Sequence, residues 1–227
     1  MKEFFLILFL AIASIIAKQK LIDVEFIEDN VFFYPPDSEI QSTMMCLNYF
    51  GFNISSVDFV NNYLETGELY YENNIWYGPD PNKKFAGSPY GKEDYGCYEP
   101  VIENAIKKYF KDHKIKNYIV KNLNNVPIEK IIKDYIDKDI PVIFWSTLFL
   151  LPSVSVESWI DPETDKRIIR KENKICLLFV GYDDEKEVYY FHAPFSGANI
   201  PYNKGLLEER HRELFSMALA IIKIYDD

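Results

Sequence analysis

Histidine and cysteine are scarce in this chain of 227 residues, which has only three of each. No two of them stand at a spacing typical of metal ligands, so the sequence predicts neither a metal nor a cofactor. Basic residues are also in the minority, with 25 Lys and Arg against 35 Asp and Glu. Because the net charge is −10, the chain would repel nucleic acid and anionic lipid. We therefore expect no nucleic-acid partner.

Long hydrophobic runs are missing beyond the N-terminus. The run from Phe4 to Ile16 follows Lys2 and ends in small residues, which is the layout of a secretory signal peptide. It is too short to cross a hydrocarbon core of about 30 Å comfortably. We expect residues 1–17 to be a signal peptide, with cleavage after Ala13 or Ala17. Residues 18–227 would then form one exported, monomeric domain without a membrane span.

The odd number of cysteines limits the chain to one disulfide bond. Cys46 lies in an apolar helical pattern and is expected to be a buried hydrophobic side chain. If a bridge forms, Cys97 and Cys176 are the expected pair.

The hydrophobic pattern predicts helices in the first half and strands in the second, which is typical of an α+β domain. The predicted helices cover residues 40–51, 57–64, 98–111, 127–135 and 204–214. The predicted strands cover residues 21–28, 141–145, 175–180, 188–191 and 216–224. Residues 67–96 contain many Gly and Pro and are expected to form a long loop.

Aromatic residues are abundant at 16% of the chain, and many of them lie in this predicted loop. Aromatic rings with a polar edge are suited to binding peptide or sugar. The candidates for ligand contact are Trp76, Tyr77, Tyr90 and Tyr95. The alternative is a lid whose aromatic side chains pack over the core.

Ser38 lies at the start of the first long predicted helix, where a thiolate nucleophile would be stabilised. A serine hydroxyl at this place would instead need a neighbouring base. Ser38 and Gln41 also have the spacing of a capping box, which predicts a purely structural role for the hydroxyl.

Six segments of the chain form an ordered set of motifs: PPDSEIQSTMMCLNYFGFNISSVDFV, YGPDPNKKFAGSPY, YGCYEPV, PVIFW, CLLFVGYD and EER. This set resembles the motifs of papain-like cysteine peptidases of the bacteriocin-processing, double-glycine-leader type, and most closely those of their exported peptidase thirty-nine-like relatives. The resemblance runs from about residue 22 to 224. It implies a papain-like fold, with N-terminal helices packed on a C-terminal antiparallel sheet.

The resemblance also implies which positions would carry catalysis. The nucleophilic Cys corresponds to Ser38, and the basic His corresponds to Ile175. The Asp or Asn that orients this His corresponds to Ala193, and the upstream Gln corresponds to Asn30. Isoleucine takes no proton and alanine orients no imidazole, so no intact catalytic set is expected.

Three hypotheses follow from these residues. The chain is a catalytically inactive peptidase-like protein that binds a peptide or another surface ligand. Alternatively, it is a hydrolase with a rebuilt site that pairs Ser38 with another base, such as His192. In the third hypothesis, the aromatic loop binds a glycan or a host surface. His113 and His211 lie in charged surroundings and are expected to be solvated.

Overall fold

Five α-helices are present in the computed structural model, which describes residues 18–27, 37–90 and 94–225. They are α1 (Ser38–Tyr49), α2 (Ser56–Tyr63), α3 (Glu99–Asp112), α4 (Ile128–Asp134) and α5 (Lys204–Glu213). Each coincides with a predicted helix to within two residues. In α1 the apolar face of Ile40, Met44 and Leu47 is fully buried, which is why this segment forms a helix on the core.

The largest sheet has seven antiparallel strands and forms the centre of the fold. Its strands are β1 (Gln19–Leu21), β7 (Tyr118–Asn122), β8 (Val142–Thr147), β11 (Lys174–Asp183), β12 (Val188–Ala193), β13 (Gly197–Asn203) and β14 (Ala218–Lys223). Their order is β13-β12-β11-β8-β14-β7, with β1 paired to the far half of β11. Helix α1 packs across β11 and β8. The predicted α+β arrangement of helices on an antiparallel sheet is therefore confirmed.

The segment predicted as a loop at residues 67–96 contains short strands instead. They are β2 (Thr66–Gly67), β3 (Tyr70–Glu72), β4 (Ile75–Tyr77), β5 (Phe85–Gly87) and β6 (Asp94–Gly96). Strands β2, β5 and β6 make a three-stranded sheet. Strands β3 and β4 join a hairpin of β9 (Ser155–Asp161) and β10 (Lys166–Lys171) in a four-stranded sheet. The loop prediction was wrong because these turn-rich residues pair with one another, and β4 also pairs with β9.

The predicted strand at residues 21–28 is also shifted. Strand β1 covers Gln19–Leu21, and residues 22–27 continue without strand pairing. Their apolar alternation has another cause, since Ile22 and Val24 are buried against the core while their neighbours are exposed.

Stacked aromatic rings fill the core between the main sheet and α5. Phe179 lies 4.7 Å from Phe191, and Phe144 lies 5.2 Å from Phe191, measured between ring centroids. His211 stacks on Phe144 at 3.8 Å and its Nδ1 donates to the carbonyl of Trp145. The expectation that His211 is solvated was wrong, since only 3% of the residue is exposed. Burial lowers the pKa of its imidazole to about 4, so His211 is neutral at physiological pH.

The three cysteines are free and buried, so the expected bridge between Cys97 and Cys176 is not formed. Desolvation raises the pKa of both thiols, which leaves little thiolate for disulfide exchange. Cys46 is fully buried, as its helical pattern predicted. Among the described residues, none of the helices is long and apolar enough to cross a bilayer. The predicted signal peptide at residues 1–17 lies outside the described residues.

A substitution at Gly181 on β11 tests how closely β1 packs against this strand. A Cβ atom added at this glycine would lie 2.2 Å from the carbonyl oxygen of Lys20 and 2.9 Å from Leu21 Cα. We expect Gly181→Ala to lower the free energy of unfolding by about 1–3 kcal/mol, because both obstacles are backbone atoms. Urea denaturation measures the change.

Gly205 in α5 provides the matched control, since the nearest atom to its added Cβ is 3.8 Å away. Gly205→Ala should leave stability unchanged or raise it by up to about 1 kcal/mol, as expected in a helix. Equal stability of Gly181→Ala and the wild type would contradict the packing of β1.

Candidate functional site

The N-terminus of α1 is capped by Asp37, whose side chain accepts a hydrogen bond from Glu39 N at 2.9 Å. Ser38 is the first residue of the helix and does not cap it. The predicted capping box of Ser38 and Gln41 was therefore wrong, because an aspartate one residue earlier takes the role equally well. The backbone N of Gln41 bonds to the carbonyl of Asp37, and its side-chain oxygen is buried without a partner among the described residues.

The hydroxyl of Ser38 is occupied on both sides. It donates to Glu39 Oε2 at 2.8 Å and accepts from Cys176 N at 3.1 Å. Only 5% of Ser38 is exposed. An attacking hydroxyl needs a free lone pair and a base that takes its proton. Here one lone pair accepts from the N–H of Cys176 on β11, and the proton is donated to the Glu39 carboxylate, which itself contacts Lys174.

Ile175 and Ala193 lie on the neighbouring strands β11 and β12. The peptide that joins Ile175 to Cys176 is the one that donates to Ser38. Leu178 pairs with His192, so Ala193, the next residue on β12, lies on the same face of the sheet as Ile175. Both are buried, with 3% of Ile175 and none of Ala193 exposed. The register thus places Ile175 and Ala193 on one face of the sheet, while Ser38 contacts β11 through the backbone of Cys176.

The side chain that reaches the helix from this strand is Lys174, the neighbour of Ile175. Its Nζ contacts Glu39 Oε1, and the two side chains are 4% and 1% exposed. Because side chains alternate along a strand, Ile175 points to the opposite face. The charged pair was missed in the sequence, since Lys174 stands at a strand end like many solvated lysines.

Asp37 and Gly96 complete this cluster. A Cβ atom added at Gly96 would lie 2.7 Å from Glu39 Oε1, 2.9 Å from Lys174 Nζ and 3.3 Å from Asp37 Oδ2. The three charged groups therefore converge on one point below the backbone of Gly96, whose φ of +82° also favours glycine. Glu39 and Lys174 are almost fully buried, whereas Asp37 is partly exposed. We call Asp37, Glu39 and Lys174 the buried charge cluster.

Burial sets the protonation of the cluster. Desolvation raises the pKa of Asp37 to about 6, although the Lys174 ammonium opposes this shift. Desolvation likewise lowers the pKa of Lys174, while Asp37 acts in the opposite direction. Both shifts favour the neutral forms of groups that are charged in water.

His192 is not available as a base for Ser38. Its Nε2 donates to the carbonyl of Val24 at 2.8 Å, and its Nδ1 accepts from Asn199 N at 3.2 Å. Burial lowers the pKa of His192, so the imidazole is neutral and held by two backbone groups. His192 is therefore a hydrogen-bonded structural residue.

Two expectations remain, which concern the counterpart of the upstream Gln and the metal site. Asn30, the counterpart of the upstream Gln, lies outside the described residues. Within residues 18–27, 37–90 and 94–225, no group of three or more His, Cys, Asp or Glu side chains is arranged to hold a metal ion.

Trp76 and Tyr95 line one open groove of about 460 Å³. The groove lies on the four-stranded sheet and is also lined by Leu69, Glu157, Trp159 and Arg170. Trp76 is 43% exposed, whereas Trp159 is buried and its Nε1 donates to Pro79 O at 2.9 Å. A rigid buried indole beside an exposed one gives a firm apolar wall for a ligand. We call this space the aromatic groove.

Tyr95 separates the aromatic groove from the buried charge cluster. Its ring lies 5.2 Å from the Arg170 guanidinium and 5.2 Å from Lys174 Nζ. Its hydroxyl is fixed by Tyr98 Oη at 2.7 Å and by the carbonyl of Lys171 at 3.0 Å. The Tyr95 side chain is therefore held in place between the aromatic groove and the buried charge cluster.

Tyr77 and Tyr90 do not join this groove. Tyr77 stacks on Tyr70, with ring centroids 5.3 Å apart. Tyr90 lines a second depression and donates from its hydroxyl to Asn61 Oδ1 at 2.9 Å. The four aromatic candidates thus lie at three places, and two of them share one surface.

Removal of the cation from the cluster should be costly. Lys174→Met leaves two buried carboxyl groups facing each other, and loss of one partner of a buried pair costs about 3–5 kcal/mol. Lys84→Met is the matched control, because the Lys84 and Glu163 pair is exposed and such pairs contribute about 0–1 kcal/mol. Urea denaturation at neutral pH compares them, and equal losses would contradict the burial of Lys174.

Asp37 should make stability depend on pH in an unusual direction. Its folded pKa of about 6 lies above its ordinary value of 3.8, so the folded state binds the proton more tightly between these values. The stabilisation from Asp37 is complete below pH 3.8 and is lost as the pH rises through about 6. Asp37→Asn keeps a capping side chain but cannot titrate.

Relative to the wild type, Asp37→Asn should therefore become more stable as the pH is raised from 4 to 8. Urea denaturation across this range measures the difference. A constant difference would show that Asp37 titrates alike in the folded and unfolded chains.

Comparison with known proteins agrees with this fold and its sequence motifs. No curated protein matches the chain. The crystal structure of a candidate C39-like peptidase from Bacillus anthracis superposes with a TM-score of 0.73, at 20% sequence identity. The match covers 91% of this chain and 99% of the other. The profile of the Peptidase_C39 like family matches residues 39–216. Since this match spans most of the sequence, the chain belongs to the Peptidase_C39 like family.

Proposed function

We propose that this protein is an exported, catalytically inactive member of its family that binds a peptide ligand in the aromatic groove. The proposal rests on the hydrogen bonds of Ser38, whose hydroxyl accepts from Cys176 N and donates to Glu39. Neither Ile175 nor Ala193 can replace the missing base and its orienting group. In a serine protease, loss of the nucleophile or of the base alone removes about 10⁶-fold of the rate.

Among the described residues, Glu39 is the carboxylate that hydrogen-bonds to Ser38. Its Oε1 contacts Lys174 Nζ and accepts from Cys97 N at 3.3 Å. Both carboxylate oxygens are therefore already engaged in contacts within the fold. The near-complete burial of Ser38 also keeps a peptide carbonyl from reaching its hydroxyl.

The aromatic groove supports the binding part of the proposal. An extended peptide offers apolar side chains for Trp76 and Trp159, together with carbonyl and carboxylate groups for Arg170. Arg170 lies over the Tyr95 ring at 5.2 Å and pairs with Glu172 at 3.4 Å, so its side chain is already ordered. Ordered aromatic and arginine side chains are the residues that most often dominate binding energy.

Incubation of the purified protein with a mixed peptide library, followed by mass spectrometry of the products, tests the inactive site. No cleavage beyond that of a buffer control is expected from the wild type or from Ser38→Ala. Peptide cleavage by the wild type that disappears in Ser38→Ala would refute the inactive site and favour a rebuilt hydrolase.

A peptide array probed with the labelled wild-type protein tests the groove. Trp76→Ala should weaken binding to the selected peptides about tenfold or more, since an exposed Trp anchor supplies over 1 kcal/mol. Tyr90→Ala is the matched control because Tyr90 is 41% exposed and lines another depression. Equal binding by Trp76→Ala and the wild type would contradict the groove, and binding to a parallel glycan array alone would favour a sugar ligand.

A further inference from the structure

The buried charge cluster holds an amine and a carboxyl group in contact, which are the two groups that condense to form an amide bond. It places an amine, Lys174 Nζ, against the carboxyl group of Glu39, with both side chains at most 4% exposed. The two residues are 135 positions apart, and the contact joins the start of α1 to the start of β11. Two reactive groups held in contact by a rigid fold react as if at very high concentration.

The surroundings of Glu39 would support attack at its carboxyl carbon. Ser38 Oγ donates to Oε2 at 2.8 Å, and Cys97 N donates to Oε1 at 3.3 Å. Fixed donors on a carbonyl oxygen stabilise the negative charge that develops there when a nucleophile adds. Both donors belong to the folded scaffold, so they need no rearrangement.

A second carboxyl group is available to move protons. Asp37 Oδ2 faces the same point as Lys174 Nζ and Glu39 Oε1. Its pKa is raised by burial to about 6, so it can both accept and donate a proton near neutral pH. The same burial lowers the pKa of Lys174 and increases its neutral, nucleophilic form.

Bulk water has little access to this site. The backbone of Gly96 covers the three groups so closely that no Cβ would fit, and the Tyr95 ring lies 5.2 Å from Lys174 Nζ. Hydrolysis of an amide needs a water molecule at the carbonyl carbon, and a sealed site withholds it.

We propose that Lys174 and Glu39 become joined by a side-chain amide bond, with Asp37 as the proton relay. A proton passes from the Lys174 ammonium to the Glu39 carboxylate, and the neutral amine then adds to the carboxyl carbon. Asp37 takes a proton from Nζ and gives it to the departing oxygen. One C–N bond forms, one C–O bond breaks, and one water molecule leaves, with no oxidation or reduction.

Amide formation would be favoured because it removes charges from the buried charge cluster. Glu39 and Lys174 are almost fully buried and Asp37 beside them is partly buried, so a full set of charges would leave a net negative charge at this point. Each desolvated ion costs several kcal/mol, and this cost is only partly recovered by pairing. The amide removes one positive and one negative charge, and protonated Asp37 is then compatible with the apolar surroundings.

Mass spectrometry of the denatured protein tests the proposal, since denaturation removes every non-covalent contact. The wild-type chain is expected to be lighter by one water molecule than its processed sequence, whereas Lys174→Arg should have the full mass. Trypsin should fail to cleave after Lys174, and fragmentation should identify one branched peptide that contains Glu39 and Lys174. The measurement on the wild type is decisive even if a variant fails to fold.

Two further variants sharpen the result. Lys84→Arg changes an exposed lysine in contact with Glu163 and should keep the water loss seen in the wild type. Asp37→Asn should leave a fraction of the chains unlinked, and complete linkage in this variant would overturn the relay. A wild-type chain of full mass, with Glu39 and Lys174 in separate unmodified peptides, would overturn the cross-link and leave a buried ion pair.

Discussion

The contact between Lys174 and Glu39 ties the helical half of this protein to its sheet. It lies where α1 begins and β11 begins, and both side chains are almost completely buried. The two residues at positions 96 and 97 pack directly against this contact. Residue 96 is a glycine because both partners occupy the space of a Cβ, and Cys97 N points at Glu39. The order of this region therefore follows from one buried charge pair.

The same contact explains the chemistry of the helix N-terminus. A papain-like nucleophile needs an open helix end, a base on the neighbouring strand and space for a carbonyl group. In this chain the helix end is capped by Asp37 and the serine hydroxyl bonds to Cys176 N. The strand presents a lysine toward the helix and an isoleucine away from it.

The aromatic groove lies on the other side of Tyr95 from this cluster. One ring faces Arg170 in the groove and Lys174 in the interior, each at 5.2 Å. A ligand that moved Arg170 or Tyr95 would therefore disturb the environment of the buried lysine. The aromatic groove and the buried charge cluster are therefore physically adjacent.

Local patterns in the sequence predicted much of the fold. The spacing of Ile40, Met44 and Leu47 located α1, and the apolar run from Ile175 to Val180 located β11. Strands β9 and β10 were missed because their exposed, charged residues show no clear alternation. Their order comes from pairing with each other and with β4.

The site was less predictable because its contacts are long-range. Ser38, Ile175 and Ala193 were predicted from family resemblance as counterparts of catalytic residues. Lys174 was not singled out in the sequence, since its partner is 135 residues away. His211 was misjudged because charged residues surround it in the sequence. Its helical spacing with Leu207 and Leu214, both fully buried, was the signal that places it on the core.

The central claim is that the start of α1 is sealed by the buried charge cluster and carries no activated nucleophile. Treatment of the native protein with a fluorophosphonate probe, followed by peptide mapping, measures this directly, because such probes react with activated, accessible serines. The account predicts no adduct on Ser38. A stoichiometric adduct on Ser38 that is lost after denaturation would contradict it, because only an open and activated site could form one.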